Sequence, residues 1–201
     1  MNLIFHKTGE LEVDMKDYVK EMLEDFPMKL AANDTAVTPS SEKMCAMKEA
    51  KPISQEKKEQ FHQSVIKGLF LCRQARPDIQ PAIAALTTRV KGTNKADLQQ
   101  LVQLMKYLNG TRELTLTLSV RNRLEHMNWH VDAAFAVNDD FKSHAGMTMR
   151  FNDKNSGAIM TLSRKQKLNM RSSMEAELVR VDDCMTMILW TKLFFEAQGI
   201  L

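Results

Sequence analysis

The stretch NWHVDAAFAVNDDFKSHAG, residues 128–146, carries an aspartate in the middle of an otherwise apolar strand pattern. The apolar residues of this pattern lie two positions apart: Trp129, Val131, Ala133, Phe135 and Val137. Such alternation predicts a β-strand with one buried face, and it puts Asp132 on the opposite face beside His130 and Ala134. A carboxylate at the centre of a strand is costly to bury unless it is hydrogen-bonded, paired or bound to a metal. Asp132 is therefore the first candidate for a functional side chain.

More strands and one long helix are predicted around this stretch. The other predicted strands are 114–120, 145–151 and 157–164, the last two joined by the turn-forming NDKNSG. Ser172 or Ser173 is the predicted N-cap of the helix, and Gly199 closes it. The C-terminal third of the chain therefore reads strand, strand, strand, helix.

The first 120 residues are predicted to be largely helical. A hairpin around Gly9 precedes an amphipathic helix that Asp14 opens and Pro27 ends. The next stretch, residues 31–54, is rich in Ala, Ser, Thr and Pro, which predicts an irregular linker. Three further helices are predicted, with these limits: Ser54 to Pro77, residues 77–90, and Asn94 to Gly110.

Composition and cysteine use exclude several classes of protein. The 201 residues are 44% apolar, as in a globular protein, and a formal net charge of +3 is too small to imply nucleic-acid binding by itself. Cys45, Cys72 and Cys184 are odd in number and widely spaced, which argues against a disulfide framework or a zinc knuckle. The N-terminal apolar run is too short for a signal peptide, and MTMILWTKLFF (185–195) is too short for a membrane span. We therefore expect an intracellular protein, cytoplasmic or nuclear, with reduced thiols and no membrane contact.

A second acid, Glu177, falls in the first turns of the last predicted helix. A helix packed across the sheet can bring Glu177 beside Asp132, and paired carboxylates suit a hard divalent cation such as Mg²⁺. Phosphodiester hydrolysis commonly uses two such ions. Four basic residues could then hold phosphates beside the acids: Arg164, Lys165, Lys167 and Arg171.

Each of these residues also has a purely structural interpretation. Asp132 could be a strand-edge acid hydrogen-bonded to backbone, Glu177 could complement the helix dipole, and the basic residues could form a solvated face. His130 and His144 have no second ligand at metal spacing, so a zinc site is not expected. Spacing alone leaves these alternatives open.

Longer stretches of the chain resemble a known family. WHVDAAFAVNDDFKSHAGMTMRF, GAIMTLSRKQKLNMRSSMEAELVRVDD and ILWTKLFFEAQG resemble the ribonuclease H segment of copia-type long-terminal-repeat retrotransposon polyproteins. That family has Asp-Ala in the first strand, a Ser-Gly turn, then Lys-Gln and a Ser/Thr-Thr-Glu-Ala-Glu helix start. FHQSVIKGLFLCRQARPDIQPAIAALTTRV and LQQLVQLMKYLNGTRELTLTL are similar to the segment linking reverse transcriptase to ribonuclease H, and GELEVDMKDYVKEMLEDFP to the piece after the polymerase palm. The likeness covers nearly the whole chain.

The resemblance implies an α+β fold in which a helical region precedes a truncated ribonuclease H-like β-β-β-α unit. The implied division is 1–50 for the tail of reverse transcriptase, with a thumb-like helix and a linker, 51–120 for a helical connection and 121–201 for an incomplete ribonuclease H-like domain. Asp132 would be the first-strand metal ligand and Glu177 the helix ligand, in preference to Glu175. Asp182 and Asp183 lie further along the predicted helix and are expected to be solvated. By the same resemblance, the intact parent would cut RNA in RNA–DNA hybrids using magnesium.

Whether this chain is itself an enzyme stays open. The polymerase aspartates and the later ribonuclease H aspartates of the family have no counterpart in residues 1–201, so we expect very low or no hydrolysis by this chain alone. The alternative is a noncatalytic remnant that binds nucleic acid or associates with other parts of the polyprotein. A third possibility is a reading frame without a stable product, because an incomplete sheet exposes strand edges.

Overall fold

The computed structural model describes residues 1–41, 50–119, 124, 126–138, 140–151 and 156–200. These residues form two three-stranded sheets and five α-helices, which confirms a mixed α+β fold. The strands are β1 (Asn2–Phe5), β2 (Glu10–Asp14), β3 (Leu116–Ser119), β4 (Met127–Ala134), β5 (His144–Phe151) and β6 (Met160–Lys165). The helices are α1 (Lys16–Glu24), α2 (Gln55–Gln74), α3 (Gln80–Arg89), α4 (Lys95–Gly110) and α5 (Ser173–Ala197).

The chain divides into two compact units. Unit 1 comprises Met1–Leu3 and Val13–Leu116, and unit 2 comprises Ile4–Glu12 and Thr117–Leu201. The threefold division at residues 50 and 120 concerns domains of a longer polyprotein and stays a prediction.

The predicted N-terminal hairpin is confirmed. Gly9 adopts a φ of +82°, which a residue without a Cβ tolerates easily, and its N–H donates to the carbonyl of His6 at 3.1 Å. The hairpin strands β1 and β2 continue into a sheet of order β1-β2-β3. β3 begins at Leu116, and the predicted end at Val120 lies outside the described residues.

Three of the predicted helix starts in unit 1 are confirmed, and at each a polar side chain accepts a hydrogen bond from the first turn. The helix predicted from residue 77 begins instead as a short 3-10 turn, Pro77–Ile79, and continues as α3 from Gln80. Asp14 Oδ1 accepts a hydrogen bond from the Lys16 N–H at 2.8 Å at the start of α1. Ser54 caps α2 by accepting from the Lys57 N–H. Asn94 and Asp97 form a capping box that satisfies the first N–H groups of α4.

The core of unit 1 lies among its four helices. Its fully buried apolar side chains include Met22, Phe61, Leu71, Ile83, Leu101, Leu104, Met105 and Leu108. At Gly68 of α2, an added Cβ would lie 2.5 Å from Cδ1 of Ile83, so a larger residue here would force the end of the Ile83 side chain of α3 to move. Arg76 is buried beside this core and donates to the carboxylate of Asp78 and to both oxygens of Thr111.

The predicted irregular linker contains no helix in its described part, residues 31–41 and 50–54. It is nevertheless held against α4 by side-chain contacts. Asn109 Nδ2 donates to the carbonyls of Ala31 and Asp34 at 3.0 Å, and Lys106 pairs with Asp34 at 3.4 Å. The segment is therefore an ordered irregular layer on unit 1 over residues 31–34.

Unit 2 contains the antiparallel sheet β4-β5-β6 with α5 packed on it. Asp132 of β4 pairs with Gly146 of β5, which pairs in turn with Ser163 of β6. In the same way, Val131 pairs with Met147, and Met147 with Leu162. Buried side chains join the sheet to the helix: Ala145, Met147, Met149, Ala176, Arg180 and Cys184. Ser172 is the N-cap of α5, and Gly199, with a φ of +64°, follows its end, as predicted.

The predicted strand through Phe135 and Val137 is too long, because β4 ends at Ala134. Ala136 takes a φ of +51°, and the Asn138 N–H donates to the Lys142 carbonyl, so the chain turns here. The apolar alternation therefore continues into a turn, where Phe135 and Val137 are exposed.

Among the helices that the structure describes, none combines the length and apolar character needed to cross a membrane.

Candidate functional site

Asp132 lies near the end of β4 with its side chain exposed to solvent. Its Oδ1 accepts a hydrogen bond from the N–H of Ala133 at 2.9 Å. The carboxylate is therefore solvated and hydrogen-bonded to local backbone, so no desolvation penalty arises at this position. The predicted alternation is confirmed, since Asp132 and Val131 lie on opposite faces of the sheet.

The face of the sheet that carries Asp132 is polar. His130 Nε2 lies 2.8 Å from an Arg150 guanidinium nitrogen, and His144 Nε2 lies 2.7 Å from the hydroxyl of Ser163. Burial and, to a smaller extent, the positive charge of Arg180 lower the pKa of His144. Imidazole, hydroxyl and guanidinium groups thus share this face with Asp132, the one acidic residue in strands β4, β5 and β6.

The opposite face of the sheet carries α5, as three contacts show. Arg164, which is opposite Ala145 in the register, reaches Asp183 of α5 with a 2.9 Å ion pair. The rings of Phe151 and Phe195 meet edge to face with centroids 5.4 Å apart. Because Ala145 and Phe151 share a face that excludes Gly146 and its neighbour Asp132, the Asp132 side chain points away from the helix.

Glu177 is exposed in the second turn of α5, one residue after the buried Ala176. A step of one residue rotates a side chain by about 100° around a helix, so Glu177 lies beside the packed face and not on it. The register thus turns Asp132 away from the helix, and Glu177 lies on the exposed flank of the helix. Among the described residues, no group of three or more His, Cys, Asp and Glu side chains could hold a metal ion. Ligation of a shared magnesium ion by Asp132 and Glu177 stays a prediction.

The neighbouring acids of α5 have structural contacts. Glu175 Oε2 accepts a hydrogen bond from the Arg171 N–H at 2.7 Å, and the Glu175 N–H donates to Ser172 Oγ. Glu175 thus belongs to the cap of the helix. Asp182 is exposed, as expected, whereas Asp183 is engaged by Arg164 and is only half-exposed.

The four basic candidates divide into two pairs. Arg164 is paired with Asp183, and Lys165 is paired with Asp140 at 2.7 Å. Lys167 and Arg171, in the connection between β6 and α5, are exposed. A phosphate that binds Arg164 or Lys165 must compete with the carboxylate already paired to it. Lys167 and Arg171 are therefore the more accessible pair for a phosphate.

Arg180 is the residue that sequence reasoning missed. Its side chain extends from α5 and is fully buried, and its Nε donates a hydrogen bond to the Gly146 carbonyl of β5 at 3.1 Å. Its two terminal nitrogens have no hydrogen-bond partner in the described part of the chain. Burial lowers the pKa of this guanidinium. The spacing of residues could have indicated its burial, because Arg180 lies four residues from both Ala176 and Cys184 and so shares their helix face.

The two described cysteines are free and buried, as predicted for reduced thiols. Burial raises the pKa of Cys72 to about 11, and its Sγ donates to Gln80 Oε1 at 2.9 Å. Burial also raises the pKa of Cys184. Neither thiol is therefore a nucleophile at neutral pH. Cys45 lies outside the described residues.

The chain is similar in sequence to a retrotransposon polyprotein. The chain is 25% identical, over 207 aligned positions, to the retrovirus-related Pol polyprotein from transposon TNT 1-94 of Nicotiana tabacum. The alignment covers 100% of this chain but only 15% of the relative's length. No family model matches the chain, and no solved structure matches it. The similarity supports an origin in a retrotransposon Pol polyprotein.

Proposed function

We propose that this chain is the part of a copia-type Pol polyprotein that joins reverse transcriptase to ribonuclease H, and that its own contribution is to bind an RNA–DNA hybrid. The observation that carries the proposal is the end-to-end alignment with a retrotransposon Pol polyprotein. The motif order supports it, because the Asp-Ala strand, the Lys-Gln pair and the Glu-Ala-Glu helix start follow one another as in the family's ribonuclease H segment.

Binding through phosphates suits the basic residues that the structure leaves accessible. Lys167 and Arg171 are exposed in the connection that leads into the N-terminus of α5. Contacts of this kind recognise the backbone of a nucleic acid without reading its sequence. They also need no metal ion.

Asp132 and Glu177 remain the proposed magnesium ligands of the parent nuclease. When bound there, magnesium would activate water and stabilise the leaving oxygen. We assign them no hydrolytic step in this chain, because the register turns Asp132 away from the helix that carries Glu177. Binding is accordingly the function that this geometry supports better than cleavage.

Fluorescence anisotropy with a labelled RNA–DNA hybrid in EDTA tests the proposal. Affinity should fall steeply with salt, and Lys167→Ala/Arg171→Ala should reduce the slope of log affinity against log salt by about 1 to 2, one unit for each lost phosphate contact. Lys20→Ala/Lys29→Ala removes the same charge from exposed positions of unit 1 and serves as the matched control. Asp132→Asn should leave affinity unchanged or slightly raised.

Two results would contradict this function. Equal losses in the Lys167/Arg171 and Lys20/Lys29 variants would show a response to net charge alone and not to a site. Magnesium-dependent cleavage of the hybrid that Asp132→Asn abolishes would show that the chain is a nuclease. In that case hydrolysis, and not binding, would be its function.

A further inference from the structure

Helix α5 is apolar on the side that faces away from its sheet as well as on the packed side. Ala176, Arg180 and Cys184 mark the packed side. On the other side, six apolar residues recur at intervals of three or four, with 41 to 71% of their surface exposed; they are Met174, Leu178, Val181, Met185, Leu189 and Leu193, and form the apolar stripe. A continuous apolar stripe on a helix is normally buried against another element.

The apolar stripe is large enough to be an interface. Trp190 and Phe194 flank its C-terminal half with stacked rings, 5.4 Å between centroids, and are themselves 61 and 45% exposed. Together with the stripe they present on the order of 800 Å² of surface, which is what each partner contributes to a stable interface of standard size. A patch of this size exceeds what monomeric proteins usually leave exposed.

Two opposite charges within the stripe indicate which partner fits it. Asp182 lies in its N-terminal half and Lys192 in its C-terminal half, and both are exposed; Lys192 also forms a solvent-exposed ion pair with Glu196 at 3.6 Å, which leaves its ammonium accessible. When two copies of α5 pack in antiparallel orientation, Asp182 of each copy comes alongside the half of the other helix that contains Lys192. Parallel packing would instead set like charges side by side. The surface is therefore complementary to a reversed copy of itself.

We propose that the apolar stripe of α5 docks against α5 of a second copy of this chain, with the helices antiparallel about a two-fold axis. Such an interface is isologous, so both copies bury the same residues. The proposal does not depend on nucleic-acid binding, since Lys167 and Arg171 lie outside the stripe.

Sedimentation equilibrium of the full chain over a wide concentration range tests it. The wild-type chain should dimerise, and Leu178→Glu/Met185→Glu should raise the dimer dissociation constant by about a hundredfold, as expected when central apolar contacts are replaced by charge. Leu168→Glu is the matched control, because Leu168 is 63% exposed and Leu178 is 65% exposed, yet only Leu178 lies in the stripe. The control should dimerise like the wild type.

Charge exchange tests the orientation of the helices. Asp182→Lys and Lys192→Asp should each weaken the dimer, and the double variant should restore it. In a parallel pair the double variant would restore nothing, and that result would overturn the antiparallel arrangement. Disulfide cross-linking provides a second measurement: Met185→Cys, near the middle of the stripe, should link two copies, whereas Met174→Cys at its end should not.

Three outcomes would overturn the proposal. One is a chain that stays monomeric at all concentrations, which includes the case in which another part of the same chain or of its polyprotein covers the stripe. The second is a dimer whose dissociation constant Leu178→Glu/Met185→Glu leaves unchanged in a chain with wild-type circular dichroism. The third is equal cross-linking at positions 174 and 185.

Discussion

Two buried arginines, one in each unit, have opposite surroundings. Arg76 of unit 1 is 2% exposed, and its guanidinium is bonded to Asp78 and Thr111 and lies over the ring of Tyr107, 5.6 Å from its centroid. Arg180 of unit 2 is 0% exposed, and among the described residues only its Nε has a partner. A buried charge is tolerable when its donors are satisfied and costly when they are not.

The same contrast holds for apolar surface. The apolar residues of α4 in unit 1, such as Leu104, are fully buried, whereas the apolar stripe of α5, which includes Leu178, is exposed. Among the described residues, the buried side-chain polar atoms without a hydrogen-bond partner all lie in unit 2, which also carries the exposed apolar stripe. The following predictions test this difference from the largest expected effect to the smallest.

The first prediction compares the same substitution in the two helices. Leu104→Ala should lower the free energy of unfolding by about 2 to 5 kcal/mol, because it leaves a cavity in a closed core. Leu178→Ala should change it by no more than about 0.5 kcal/mol, because its side chain is exposed. Urea unfolding at protein concentrations that keep the chain monomeric measures both. Similar losses at the two positions would remove the contrast between the units.

The second prediction concerns the satisfied arginine. Arg76→Met should destabilise the protein by about 2 to 4 kcal/mol, because Asp78 and Thr111 lose their shared partner. The half-exposed Asp78 carboxylate can regain water, which keeps the loss at the lower end of this range. A double-mutant cycle with Asp78→Asn, followed by urea unfolding, measures the coupling. A coupling energy near zero would show that the network is not stabilising.

The third prediction makes the matching change in unit 2. Arg180→Met should leave stability unchanged or raise it by up to about 2 kcal/mol, because it removes two unsatisfied donors from a buried site and keeps much of the volume. The measurement is again urea unfolding, with the Arg76→Met variant as the control of opposite sign. A loss like that of Arg76→Met would mean that the Arg180 guanidinium has stabilising partners after all.

The fourth and smallest effect is a pH dependence from His144. Burial, and to a lesser extent Arg180, lower its pKa in the folded protein below the ordinary value of 6.5, so the unfolded chain takes up a proton more readily. The contribution of His144 to stability is therefore complete above this value and is lost as the pH falls through the folded-state pKa. Unfolding free energies at about pH 7.5 and 5.5 should differ less in His144→Gln than in the wild type. An unchanged difference would show that His144 does not titrate in this way.

Local structure could be predicted where one side chain controls one backbone feature. Ser54, Asn94 and Ser172 are helix caps, and Gly9 and Gly199 adopt positive φ, as their residue types indicate. Alternation also placed Asp132 and Val131 on opposite faces correctly. It failed at Phe135 and Val137, because the turn at Ala136 is set by contacts beyond the pattern, including the Ser143 hydroxyl that accepts its N–H.

Which face of the sheet a helix covers could not be predicted from spacing. The helix lies on the face opposite Asp132, which is the apolar one, with Ala145 and Met147 at its centre. Burying those side chains outweighs any gain from placing a solvated carboxylate beside the helix. The engagement of Arg164 by Asp183 follows from the same choice of face.

The first sheet places strands that are far apart in the sequence side by side. β2 ends at Asp14 and pairs with β3, which begins only at Leu116. During synthesis the N-terminal hairpin therefore waits for about 100 further residues before its last neighbour exists, a long-range closure of the kind that slows folding. Until then the edge of β2 is open to other strands, so the hairpin is exposed to mispairing throughout this interval.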